Sequence, residues 1–129
     1  MNAAFPWAQL LAVALGSALG GVLRWAVQLW LNARWAGFPL GTLVVNCVGG
    51  LLIGIALAWF ARTPNELLRL LLVTGFLGGL TTFSAFTGES LTLLQRCDVG
   101  WALAHSAAHL LGSLACSAIG FRLAKTLLA

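Results

Sequence analysis

The sequence predicts an all-α membrane protein with four transmembrane helices, the third broken near its middle. Three observations carry this. Sixty per cent of the 129 residues are apolar and only 8% are charged, so most of the chain could not face water. The apolar residues gather into four runs of spanning length, separated by short connections rich in charge, proline and turn residues. Five of the six tryptophans, Trp7, Trp30, Trp35, Trp59 and Trp101, fall near the ends of those runs, where an amphipathic ring prefers the headgroup layer. Residues 1–129 then read as one four-helix transmembrane domain, with no room for a soluble one.

Span one is expected over residues 8–31. It is too long for a cleaved signal, and Met1 to Trp7 carries no Lys or Arg, so the segment is expected to remain in the mature protein. Arg24 lies inside it. Span two is expected over 41–60, span three over 67–95 and span four over 99–127. The connections read NARWAGFPL, ARTPNE and RCD. Glycines recur four apart in three spans, at Gly16 and Gly20, Gly50 and Gly54, and Gly75 and Gly79. In lipid such spacing lets helix backbones approach closely.

Charge excludes some functions and leaves orientation open. The net charge is +4, but the seven basic residues are scattered along the chain. Anionic lipid headgroups fit that pattern, and nucleic acid does not. With four spans, one face holds Arg62, Arg69, Arg122 and Lys125, and the other holds Arg34 and Arg96. Arg24 lies nearer the second face and narrows the difference, so the positive-inside rule barely orients the chain. Cys47, Cys97 and Cys116 are odd in number and lack metal-type spacing, which implies no disulfide framework.

Polar side chains at bilayer depth are costly and mark functional candidates. They are Arg24, Thr42 and Asn46, the stretch from Thr74 to Glu89, and His105, His109, Ser113 and Ser117. The last four are spaced four apart and draw one stripe along span four. Two readings stand for it, a pore wall and interhelical hydrogen bonding. The His105/His109 pair has zinc-helix spacing, but no HExxH pattern surrounds it and no cysteine completes it.

The stretch GFLGGLTTFSAF, from Gly75 to Phe86, interrupts a span with three glycines. Freed backbone groups at that depth are tolerated only where protein, water or an ion satisfies them, so the break is expected to line something. Phe83 and Phe86, three apart, would share a face after it. Ring edges are positive and can hold an anion, although both could be ordinary lipid-facing or core residues. A cation path would want several carboxylates in the spans, and Glu89 is alone there. Donors plus Arg24 favour an anion.

The motifs GGVLRW (Gly20–Trp25), PLGTLVVNCVGG (Pro39–Gly50), TGFLGGLTTFSAFTGE (Thr74–Glu89) and HLLGS (His109–Ser113) span nearly the whole chain. Together they resemble the Fluc/CrcB family of fluoride channels, and GTLVVN with GGLTTFSxF is highly specific. The resemblance implies an antiparallel dual-topology homodimer with two pores in the bacterial inner (plasma) membrane. It implies fluoride export down its electrochemical gradient, lowering cytoplasmic fluoride toxicity, and no enzymatic activity. Phe83 and Phe86 match the aromatic pair that contacts fluoride, Asn46 the pore asparagine, and Ser113 the polar track. Thr82 and Ser84 would add donors, and Arg24 a vestibule charge. Gly78 and Thr81 match positions whose backbone carbonyls hold a structural sodium ion, not a transported one. Ala85 and Thr87 depart from the family's frequent threonine and serine without removing a ring or a break residue. A small dual-topology drug/proton antiporter is the alternative, but it needs a carboxylate deep in span one, where this chain has only Arg24.

Overall fold

The computed structural model describes residues 5–34 and 37–128. Trp35, one of the expected boundary tryptophans, lies outside them. The described residues form helices only: α1 (Trp7–Asn32), α2 (Leu40–Arg62), α3 (residues 66–80), α4 (Phe83–Gln95) and α5 (Val99–Leu127). Helices α3 and α4 are the two arms of one broken span, so four helical stretches are long and apolar enough to cross a membrane. The helices end within two residues of the bounds expected for the spans.

The surface is unlike that of a water-soluble bundle. Its largest fully buried side chains are His105, Val45 and Thr42, two of them polar. Leu15, Leu110 and Leu114 meanwhile point outward. A surface of exposed leucines around an interior that also buries polar side chains has a hydrocarbon solvent, not water, as its complement.

Glycine sets the helix spacing. A Cβ on Gly75 would stand 2.9 Å from the Cα of Gly16, and one on Gly79 would stand 2.5 Å from the Ser17 carbonyl oxygen. The α1 and α3 backbones therefore touch directly. Gly50 and Gly54 do the same for α2 against α5, where added carbons would run into the backbone at Ser113 and Ser117. The four-residue glycine spacing thus works as helix packing, by the route that lipid permits. Val45, Leu77 and Leu80 form the apolar core, flanked by Val27, Leu52, Ile53 and Phe76.

The ends follow local chemistry. Asn65 caps α3 by accepting the Leu68 amide at 2.9 Å, and Asn32 Oδ1 accepts the Gly41 amide at 2.8 Å, tying α1 to the start of α2. Arg34 lies 4.0 Å over the Trp30 ring. Between α4 and α5 the chain turns at Cys97 with φ of 62°, and the Cys97 and Asp98 amides bond back to Leu94 and Leu93. The exposed Glu66–Arg69 pair contributes only about 0.2–0.5 kcal/mol.

The third span corrects one expectation. Gly75, Gly78 and Gly79 do not break the helix. Residues Leu70–Leu77 continue it with π-type spacing, in which the Gly78 amide reaches the Val73 carbonyl five residues back, and Gly78–Leu80 is α-helical. The break falls just after, where Thr81 (φ −83°, ψ 155°) and Thr82 (φ −151°, ψ 118°) are extended. Packing against α1 holds Gly75 and Gly79 helical despite their low propensity, because only glycine allows that approach.

Candidate functional site

The break is held open by one side chain. In an unbroken helix the Thr82 amide would bond the Gly78 carbonyl. It donates instead to Asn46 Oδ1 at 2.8 Å, while Asn46 Nδ2 donates to the Thr82 carbonyl at 3.0 Å. Thr82 then starts α4 by accepting the Ala85 amide on its hydroxyl at 3.2 Å. The Gly78 carbonyl thereby loses its helical partner. Thr81 keeps its amide on the Leu77 carbonyl at 2.9 Å and folds its hydroxyl onto the same oxygen at 2.8 Å.

Beside the break lies a cleft of about 430 Å³, walled by Asn46, Thr82, Phe83, Phe86, His109 and Ser113, with Thr81, Leu110, Leu114 and Ser117. Five of the seven residues expected in a pore thus converge. The other two lie elsewhere. Arg24 donates its Nε to the Gly79 carbonyl at 3.0 Å, on the α1 side of the break. Ser84 is exposed and pairs with the Thr82 hydroxyl at 3.3 Å.

The two phenylalanines differ. Their ring centroids are 5.4 Å apart with planes at 56°. Phe83 is 76% exposed, while Phe86 stacks on His105 at 5.5 Å and 20° and lies 4.7 Å from the His109 ring. Phe86 is thus anchored inside the chain and Phe83 is presented outward.

Next to the cleft runs a hydrogen-bonded seam. Gln28 donates to the Thr42 hydroxyl at 3.0 Å, Thr42 donates to Glu89 Oε1, and Glu89 Oε2 meets His105 Nε2 at 3.3 Å. His105 Nδ1 lies 2.9 Å from the Ser90 hydroxyl. Four helices are joined by this one chain of polar contacts. Glu89 also borders a second opening, shared with Asn32, Phe38 and Arg96 near the α1–α2 connection. Of the residues singled out from sequence, Thr42, Glu89 and His105 belong to the seam. Gln28 was missed, although its position four residues after Arg24 in span one was a readable signal.

Two sets of ligands are available to a cation. One is the break, where the Gly78 carbonyl has lost its helical partner. The other is Glu89, His105 and His109, which each offer a ligand atom within 4.8 Å of the others.

Four membrane-length helices around a buried polar seam and a donor-lined cleft define a multi-pass membrane protein built to pass something through its interior. The family model described as CrcB-like protein, Camphor Resistance (CrcB), matches residues 11–121, and the chain belongs to that family. It is 50% identical over 123 residues to the fluoride-specific ion channel FluC of Aromatoleum aromaticum, covering 94% of each chain. It is 49% identical over 116 residues to FluC of Pseudomonas aeruginosa, covering 88% of this chain and 91% of that one. It is 50% identical over 110 residues to FluC of Nitrosomonas europaea, covering 84% and 87%.

Proposed function

We propose that this chain conducts fluoride, as a channel and not an enzyme, and works as an antiparallel dual-topology homodimer in a bacterial inner membrane. The observation that carries the reading is the cleft at the break, where two aromatic rings and the hydroxyls of Thr82 and Ser113 converge beside Asn46, in a chain half identical to proteins named for fluoride conduction. Fluoride is small and strongly hydrated, so passage requires donors in series to replace its water shell. Ring edges add weak attraction without a fixed charge, which lets the ion leave again. Export down the electrochemical gradient would relieve cytoplasmic fluoride toxicity.

The dimer reading draws on two features. Phe83 is three-quarters exposed beside polar residues, where a second copy would complete a pore wall. The basic residues split four to two between the faces, which is compatible with both insertions. Arg24 and Ser84, away from the cleft in the protomer, would belong to the vestibule and to the donor series of the assembled pair. The backbone carbonyls of Gly78 and Thr81 suit a structural sodium ion, because the diverted Thr82 amide leaves the Gly78 oxygen without its helical partner. Such an ion would supply positive charge to carbonyls at membrane depth and hold the break in shape.

The test is fluoride efflux from liposomes containing only this protein, read with a fluoride electrode. Efflux well above protein-free vesicles is expected, and efflux equal to theirs would overturn the proposal.

A further inference from the structure

Two of the chain's three cysteines meet across the α2–α5 seam. The Cys47 thiol is in hydrogen-bonding contact with the Cys116 thiol and with the Ser113 hydroxyl. Glycines of the seam bring them together. A Cβ on Gly112, one turn before Cys116, would stand 3.2 Å from Cys47 Sγ, and one on Gly50, one turn after Cys47, would stand 2.6 Å from the Ser113 carbonyl oxygen and 3.2 Å from Ser117 Oγ. The two helices thus approach as closely as small residues permit, and each presents one sulfur to the other. Both thiols are half-buried, whereas the third, Cys97, is exposed at the α4–α5 turn. Cys47 and Cys116 lie far apart in sequence, so no spacing motif announces the pair.

Two thiols inside spanning segments restrict the ion that could join them. Thiolate is a soft ligand. Zinc in closed sites is tetrahedral, and the seam offers it only two sulfurs and a hydroxyl. Two thiolates around a monovalent soft ion, Ag(I) or Cu(I), would leave a net negative charge at bilayer depth, which is costly. A divalent soft ion that binds two sulfurs in line leaves no net charge. Hg(II) is such an ion.

We propose that Cys47 and Cys116 form a two-thiol site for Hg(II), which would join α2 to α5 beside the cleft. Mercuric chloride is uncharged and enters hydrocarbon. At the site two S–H and two Hg–Cl bonds break and two Hg–S bonds form; two protons and two chloride ions leave, and no electron is transferred. The sulfurs turn apart about their Cα–Cβ bonds to admit the ion. Cys47 follows Asn46, which holds the break, and touches Ser113 of the cleft wall, so a bound ion is placed to hinder conduction. Binding itself stands apart from the channel reading.

The test uses full-length Cys97→Ser protein in liposomes, which keeps only the pair, treated with mercuric chloride and read by denaturing mass spectrometry. One mercury per chain is expected, with two protons lost and no chloride retained, and neither thiol should then react with maleimide. Fluoride efflux from the same liposomes should fall several-fold with mercury and recover with a dithiol. With Cys47→Ser or Cys116→Ser added, each protein should keep the efflux rate it shows without mercury. Two mercury ions per chain that each retain a chloride, thiols still reactive after treatment, or equal inhibition when serine replaces either cysteine would each overturn the proposal. Should Cys97→Ser not fold, a digest of the wild type decides. Mercury should link the peptide of Cys47 to that of Cys116, and mercury found on Cys97 alone would overturn the site. A protein that moves no fluoride even without mercury sinks the channel reading, and the mass measurement still decides this inference.

Discussion

Asn46 grips Thr82 by both halves of its amide, accepting the Thr82 N–H at 2.8 Å and donating to the Thr82 C=O at 3.0 Å. One side chain on α2 thereby replaces the helical bonds that the third span gives up at its break. An aspartate at that position could still accept the amide, but it would face the Thr82 carbonyl and His109 Nδ1 with oxygen instead of hydrogen. Asn46→Asp is therefore expected to abolish fluoride efflux, because a fixed negative charge also enters a narrow anion path. The two lost donor bonds should lower stability by about 1–3 kcal/mol. Liposome efflux and thermal unfolding in detergent check both arms, and unchanged efflux would remove Asn46 from the pore.

The two phenylalanines should separate conduction from packing. Phe83→Ile and Phe86→Ile both keep apolar bulk and remove a ring edge, so both are expected to reduce fluoride throughput severely. Both variants lose the Phe83–Phe86 pair, but only Phe86 also packs on the two histidine rings, so Phe86→Ile should lose a further aromatic contribution of about 0.5–1.5 kcal/mol. Melting temperatures measured alongside efflux distinguish them. Full-rate efflux by both variants would reduce the rings to packing.

Adjacent glycines should fail differently. A Cβ at Gly79 would meet backbone at 2.5 Å on Ser17 and 2.9 Å on Gly21, whereas one at Gly78 meets only the Val73 oxygen at 3.9 Å. Gly79→Ala is expected to prise α1 from α3 and yield aggregated protein. Gly78→Val should preserve the chain's own helices but prevent stable dimers if the proposed partner packs against this exposed glycine. Circular dichroism with size-exclusion chromatography reads each, and a dimeric, conducting Gly78→Val protein would mean that no partner packs there.

Thr42 is the joint of the polar seam, fully buried between Gln28 and Glu89. Thr42→Val keeps the shape and removes the hydroxyl, leaving a Glu89 oxygen and the Gln28 amide without their partner. A loss of about 1–3 kcal/mol is expected, with recovery in Thr42→Ser. Equal melting temperatures for the valine and serine variants would show that the hydroxyl carries no weight.

Dual insertion is tested by topology. Tags at the C-terminus should be accessible from both faces of the membrane, as the four-to-two division of basic residues predicts. Accessibility from one face alone would exclude an antiparallel pair.

The sequence by itself determined the spans, because hydrophobic length against bilayer thickness is a local property: residues 41–60 were expected and Leu40–Arg62 is observed, 99–127 against Val99–Leu127. It also determined the glycine contacts of Gly16, Gly50 and Gly75, since four-residue spacing of small residues has few other uses in lipid. It placed the break within Gly75–Phe86, but not the residues that open, Thr81 and Thr82. Propensity pointed to Gly75, Gly78 and Gly79, yet α1 packs Gly75 and Gly79 into a helix and Asn46, 36 residues upstream of Thr82, supplies the hydrogen bonds that let the chain open two residues after the last glycine. Separation in sequence likewise hid the partners of Glu89 and His105. A stripe on one helix can be read from spacing, but the contact of His109 with Asn46 joins two helices, and only the tertiary structure brings the two within hydrogen-bonding distance.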